Sequence, residues 1–207
     1  MRNVCSRFDI SFHERKYTMA DKVLFGFKNV YYSKITESGT TITYGTPAKF
    51  STEGAGGVSI ALSPRGETFE KYADDVLWFA DAVNQGYEGD LVLTNITDSF
   101  KKDIMKYTQD TNGALVESAN ATFEKFALGF EVQGNENPTR TWYYYCSVTR
   151  PNDEANTKEA SMSTNDKTLS IIASPRPTDE KVKVTMKLST TNTTAYNGFF
   201  SSVYEAQ

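Results

Sequence analysis

A mainly β fold, a β-sandwich or roll with one or two short helices, is what this sequence predicts. Three observations carry the prediction. Apolar and polar residues alternate with a period of two in about nine short stretches. Turn signals built on Gly, Pro and Asn separate those stretches. Helical periodicity is confined to two short segments, near 98–107 and 196–204.

The first strand signal opens at Lys22. Val23, Phe25 and Phe27 alternate with Leu24, Gly26 and Lys28, and a second β-rich stretch runs from Val30 to Ile35. Glu37-Ser38-Gly39-Thr40 reads as a turn, after which Thr41–Tyr44 returns. Gly54-Ala55-Gly56-Gly57 reads as a flexible joint. It lacks the Lys-Ser/Thr of a phosphate loop and leads into a strand, not a helix. In that strand Val58, Ile60 and Leu62 alternate with Ser59, Ala61 and Ser63, and Pro64 ends it.

Leu91, Leu93 and Asn95 set the phase of the next strand, and Asp98 is placed to cap a short helix whose Phe100, Ile104 and Tyr107 share a face. After the Asn112-Gly113 turn, 123–132 and 141–150 read as paired strands, and 168–173 with 181–188 as a last pair. Within 141–150, Trp142, Tyr144, Cys146 and Val148 fall on one face and Tyr143, Tyr145 and Ser147 on the other. That pattern predicts a strand buried on both sides. A base-stacking surface would carry basic residues between the rings, and none interleave here.

Two segments stand apart. In 64–87 the acids Glu67, Glu70, Asp74, Asp75 and Asp81 interleave with Phe69, Tyr72, Val76, Leu77, Trp78, Phe79 and Val83. The stretch is too apolar for a solvated loop and too acidic for a core. It reads either as a surface that a partner covers or as an ordinary hairpin turning at Ala73-Asp74-Asp75. Beyond the polar linker Thr190–Thr194, Tyr196, Phe199, Phe200, Val203 and Tyr204 follow helical spacing, weakened by Gly198. An apolar stripe on a polar tether predicts docking, onto its own domain or a neighbour's. Truncation after Leu188 is accordingly expected to leave a folded domain that assembles poorly.

The domain division follows: 1–18 an N-terminal extension or arm, 19–188 the β domain, and 189–207 a C-terminal arm. Residues 1–18 carry four basic and two acidic residues, so the remainder of this −4 chain has a formal charge of −6. Met19 reads as an alternative start. An acidic balance argues against a dedicated DNA binder, which needs a basic face. Cys5 and Cys146 offer no disulfide framework and read as reduced thiols. His13 is the single histidine and lies in the arm, so no Ser/His/Asp or Cys/His arrangement can be built in the domain. No EF-hand spacing surrounds Asp74, Asp75 and Asp81. The expectation is a protein that is no enzyme and needs no cofactor or metal.

Several stretches in order carry a resemblance: Lys22 to Tyr32, Tyr44-Gly45-Thr46-Pro47, Tyr72-Ala73-Asp74-Asp75, Asn84 to Leu91, Phe100-Lys101-Lys102-Asp103-Ile104, Thr168 to Pro177 and the ending Tyr196 to Tyr204. Together they resemble the major tail proteins of siphophages that infect Gram-positive bacteria. The resemblance implies a β-sandwich of the phage tail-tube type with one short flanking helix and extended loop and terminal arms. It implies hexameric rings stacked into a tube, with a tape-measure protein and tail terminator and distal tail proteins as partners. It places the chain in the virion tail, assembled in the host cytoplasm, with DNA passing through the lumen unbound and no membrane contact.

On that resemblance, the loop expected to reach the adjacent ring corresponds to 64–87, with Phe69, Tyr72, Val76, Leu77, Trp78 and Phe79 as stacking candidates. Glu67, Asp74, Asp75 and Asp81 become candidates for an acidic lumen that repels the duplex, or for the outer or stacking surface. The rival reading is a carbohydrate-binding β-sandwich module of a tail fibre or adhesin, which would use Trp78 or Trp142. A glycosidase would instead need two facing carboxylates, one with a perturbed pKa.

Overall fold

The computed structural model describes residues 23–134, 136–157 and 164–206. The arm expected at 1–18, with Cys5 and His13, lies outside the described residues. The strands are β1 Leu24–Ser38, β2 Thr41–Tyr44, β3 Ala48–Lys49, β4 Gly57–Pro64, β5 Thr68–Ala73, β6 Val76–Ala82 and β7 Tyr87–Leu93. They continue with β8 Thr108–Gln109, β9 Leu115–Val116, β10 Phe126–Gly134, β11 Thr139–Val148, β12 Lys167–Ala173 and β13 Lys183–Lys187. The helices are α1 Asp98–Asp103 and α2 Thr193–Asn197. The fold is mainly β, with antiparallel sheets.

One nine-stranded sheet organises the chain in the order β2-β1-β10-β11-β12-β7-β4, with β3 beside β1 and β13 beside β11. The sheet curls until its far edge returns to its start. A Cβ on Gly57, at the head of β4, would lie 2.6 Å from both Phe27 Cε1 and Val30 Cγ2 of β1. The stretch expected to be a flexible joint is therefore a packed seam. Ala55 is buried, and the Gly56 N–H donates to Thr94 Oγ1 at 2.8 Å.

Inside the roll Phe100 and Ile104 of the helical segment meet Tyr32, Phe50, Leu91, Phe126, Leu128 and Leu169 from the strands and the turn at 50–53. Phe100 makes edge-on contacts with Tyr32 and Phe126 at 5.0 and 5.4 Å between ring centres, a favoured aromatic geometry. The cap of α1 is Thr97, whose hydroxyl accepts from the Phe100 N–H, not Asp98 as the sequence predicts. The helix stops at Asp103, so Tyr107 lies beyond it and only Phe100 and Ile104 are fully buried.

Bulges account for the other departures. The stretches expected at 22–28 and 30–35 form the single strand β1, which absorbs register shifts after Phe25 and Lys28. A shift between Gly57 and Ser59 leaves Val58 exposed while Ile60 and Leu62 turn inward. In β11 one extra residue lies between Tyr143 and Cys146 relative to Leu128 and Phe126 on β10. Trp142 and Tyr144 therefore face outward, whereas Cys146 and Val148 join Tyr143 inside the roll, contrary to the predicted alternation. Burial pushes the Cys146 thiol up to about 12, the state of an inert structural cysteine.

The strands expected as a last pair do not meet each other. β12 pairs with β11 at 146–148 and β13 pairs with β11 at 139–143, so the two lie end to end along one neighbour.

Candidate functional site

The segment 64–87 is a β-hairpin, and its apolar side chains are uncovered. The hairpin turning at Ala73-Asp74-Asp75 is thus observed, and its apolar residues face solvent. β4 and β7 pair as far as Pro64 and Tyr87. Backbone bonds from Arg65 N–H to Gly86 O (2.8 Å), Gln85 N–H to Arg65 O (2.8 Å) and Val83 N–H to Glu67 O (3.1 Å) carry that pairing into β5 and β6. The four strands are thus one ribbon. Its proximal half belongs to the sheet, and its distal half pairs with nothing else among the described residues.

Asp74 and Asp75 close the ribbon with φ of 51° and 59° between the paired Ala73 and Val76. Two left-handed residues make the primed turn that suits strand twist, and Asp tolerates that region better than most residues. Lys71 pairs with Phe79 and Tyr72 with Leu77, which leaves Trp78 as the extra residue of a bulge. Trp78 is 73% exposed, and Phe69, Tyr72, Val76, Leu77, Phe79 and Val83 are exposed beside it. Phe69 and Phe79 touch at 6.3 Å between centroids, the only ring contact recorded for them among the described residues. Glu67, Glu70, Asp74, Asp75 and Asp81 are all exposed, with Lys71 the one cation among them. An isolated two-stranded hairpin is marginal in water, and an apolar one normally has a cover.

The C-terminal segment is no free arm. Phe199 and Val203 are buried against Ala127, Trp142 and Tyr144 on the outer face of the sheet, with Phe200 and Tyr204 half-buried around them, and Tyr196 is buried under the Arg140 guanidinium, 4.0 Å from its ring centre. The helix is only α2, and turns from 198 to 203 continue the apolar spacing. Three alternate residues of β11 each grip a carbonyl of this segment. The Arg140 guanidinium donates to Tyr196 O, Trp142 Nε1 to Phe199 O at 2.8 Å, and the Tyr144 hydroxyl to Tyr204 O at 2.9 Å. Tyr31 stacks on Phe200 at 4.6 Å.

Two ionic clusters brace this face, and neither is legible in the sequence, because each is completed from a distance: Lys28 joins Glu131 and Arg140, and Tyr44 and Glu205 join Arg176 and Asp179. Glu131, nearly fully buried, takes Arg140 Nε at 2.9 Å and Lys28 Nζ at 3.3 Å. Arg176, also buried, binds Asp179 through two bonds of 2.7 and 2.6 Å, Glu205 at 3.0 Å and the Tyr44 hydroxyl at 3.1 Å. Its guanidinium lies 4.7 Å from the Tyr144 ring centre. The Arg176 bonds hold the Asp179 carboxyl well below the usual carboxylate range. A depressed pKa adds stability that is present above the ordinary Asp value of about 3.9 and is lost as the pH falls below it. Asp179→Asn is therefore expected to melt below the parent at neutral pH, with the gap closing as the pH drops under about 3.9. Paired melting curves across pH check this.

Of the aromatic residues weighed for sugar binding, Trp142 is fully buried and Trp78 is exposed on the hairpin. Asp179 is shifted opposite to the direction a general acid needs. Among the described residues no group of His, Cys, Asp and Glu is arranged to hold a metal ion, and no helix is long and apolar enough to cross a membrane. No protein-family model matches the chain, and no curated protein matches it.

Proposed function

We propose that this protein is a structural subunit that assembles with copies of itself, as the tail-tube protein of a long-tailed bacteriophage. The observation that carries the reading is the distal hairpin, an apolar ribbon that its own domain leaves uncovered. A hairpin reaching away from one subunit meets a different patch on the next, which is a heterologous contact. Such contacts close into rings or continue into filaments according to their rotation. Hexameric rings stacked into a tube, with DNA passing unbound through the lumen and tape-measure and terminator proteins at its ends, are what the resemblance adds. The ordered C-terminal segment supports the same reading by finishing a rigid body from which the hairpin projects.

Negative-stain imaging of the purified full chain over a concentration series, with light scattering in parallel, tests the proposal. Rings or hollow tubes of uniform width are expected. A monomer at every concentration, with Trp78 fluorescence responding to sugars, would favour the carbohydrate-binding module instead.

A further inference from the structure

We propose that the acidic hairpin of one subunit docks edge-on against β13 of a second copy; this rests on the self-assembly reading above. Three observations meet here. First, among the described residues β13 pairs on one side only, with β11. The bond from Tyr144 N–H to Val182 O sets the phase of that ladder, so Lys183, Thr185 and Lys187 turn their backbone groups to the open side. The Lys187 carbonyl is already taken there by Asn192 Nδ2 at 2.8 Å, which leaves the stretch nearer Lys183 as the free edge.

Second, the charges complement each other. Residues 67–83 hold five carboxylates and one lysine, whereas 181–188 hold Lys181, Lys183 and Lys187 and no acid. A lysine-bearing edge resists pairing with a copy of itself, and an acidic ribbon does the same. The mixed pair alone escapes like-charge repulsion. The interface is therefore forced to be head-to-tail, the kind that propagates.

Third, the base of the ribbon is open. Pro64, Gly66, Glu67, Val83 and Tyr87 line an open cleft of about 410 Å³ at the base of the ribbon. Lys183 of the same subunit rests its ammonium 4.2 Å from the Tyr87 ring centre at the edge of that cleft. The ribbon continues β7 past the point where β12 ends, and neither β5 nor β6 pairs with β13 among the described residues.

Reciprocal charge reversal tests the pairing. Lys183→Glu with Lys187→Glu, and separately Glu70→Lys with Asp81→Lys, are each expected to raise the concentration at which polymers appear by at least about tenfold, since like charges then face each other. Combining all four substitutions is expected to restore assembly to near the parent concentration. Circular dichroism melting verifies that each variant is folded, and Thr185→Pro, which removes an outward N–H at the edge, gives a charge-independent arm with the same expected loss. Unaltered polymers in the lysine variant, or failure of the fourfold variant to recover, overturns this docking while leaving self-assembly intact. A parent protein that never polymerises in the same series overturns both.

Discussion

Trp142→Ala is expected to destabilise the protein by about 3–5 kcal/mol, the range for a large aromatic removed from a packed core. The indole is fully buried between the sheet and the C-terminal segment, 5.7 Å from the Phe200 ring centre. A Cβ on Gly129, its cross-strand partner, would lie 2.7 Å from Trp142 Cζ3, so the ring lies flat over a glycine left open for it. Losing the ring empties that space and strips the Phe199 carbonyl of its donor. Trp142→Phe keeps much of the ring volume and loses the N–H, so it should cost less, about 1–3 kcal/mol for the unsatisfied carbonyl. Urea denaturation of the two variants beside the parent separates packing from hydrogen bonding. The same geometry revises the truncation expected from sequence. Ending the chain after Leu188 uncovers Ala127, Trp142 and Tyr144 together, so the shortened protein should lose stability before it loses assembly.

The second large effect is expected to have the opposite signature. Replacing Leu77 and Trp78 with serine should leave the unfolding free energy unchanged to within about 0.5 kcal/mol, as for surface sites that touch nothing buried. Polymer formation should nevertheless fail, because apolar anchors at the centre of an interface carry most of its energy. Tubes at the parent concentration from this variant would remove the hairpin from the assembly contact. Reading denaturation and sedimentation on the same sample makes the dissociation of the two properties visible.

Alternation read the fold well where strands are regular. Ile60 and Leu62 in β4, Leu91 and Leu93 in β7, and the pairing of β10 with β11 all stand where the sequence predicts them. It failed at bulges, because one inserted residue reverses every later side chain without changing the composition of the strand. Cys146 and Val148 are the example. The C-terminal stripe was legible as a stripe, since turns of three to four residues preserve its spacing. Its destination was not, because the groove is assembled from β10 and β11, more than 50 residues away. The Arg176 and Glu131 clusters escaped for the same reason: single charges in sequence reveal nothing until the sheet gathers them. The hairpin was half legible. Its amphipathic character is plain in the sequence, but Asp-Asp is a weak turn signal beside Asn-Gly and leaves the turn one of two options.

The ribbon that closes at Asp74-Asp75 also has a place in time. Its partners are at most 14 residues apart, whereas β1 must find β10 across roughly a hundred. Hairpins form within about 1–10 μs, while sheets built from distant pairings take milliseconds or longer. The stickiest strand of the chain, Val76 to Ala80, is thus exposed in a nascent ribbon well before the roll beneath it exists. Charged residues flanking such a strand act as gatekeepers against premature aggregation. Asp74, Asp75 and Asp81 bracket it on both sides, so the carboxylates would guard the folding chain before they serve the finished subunit.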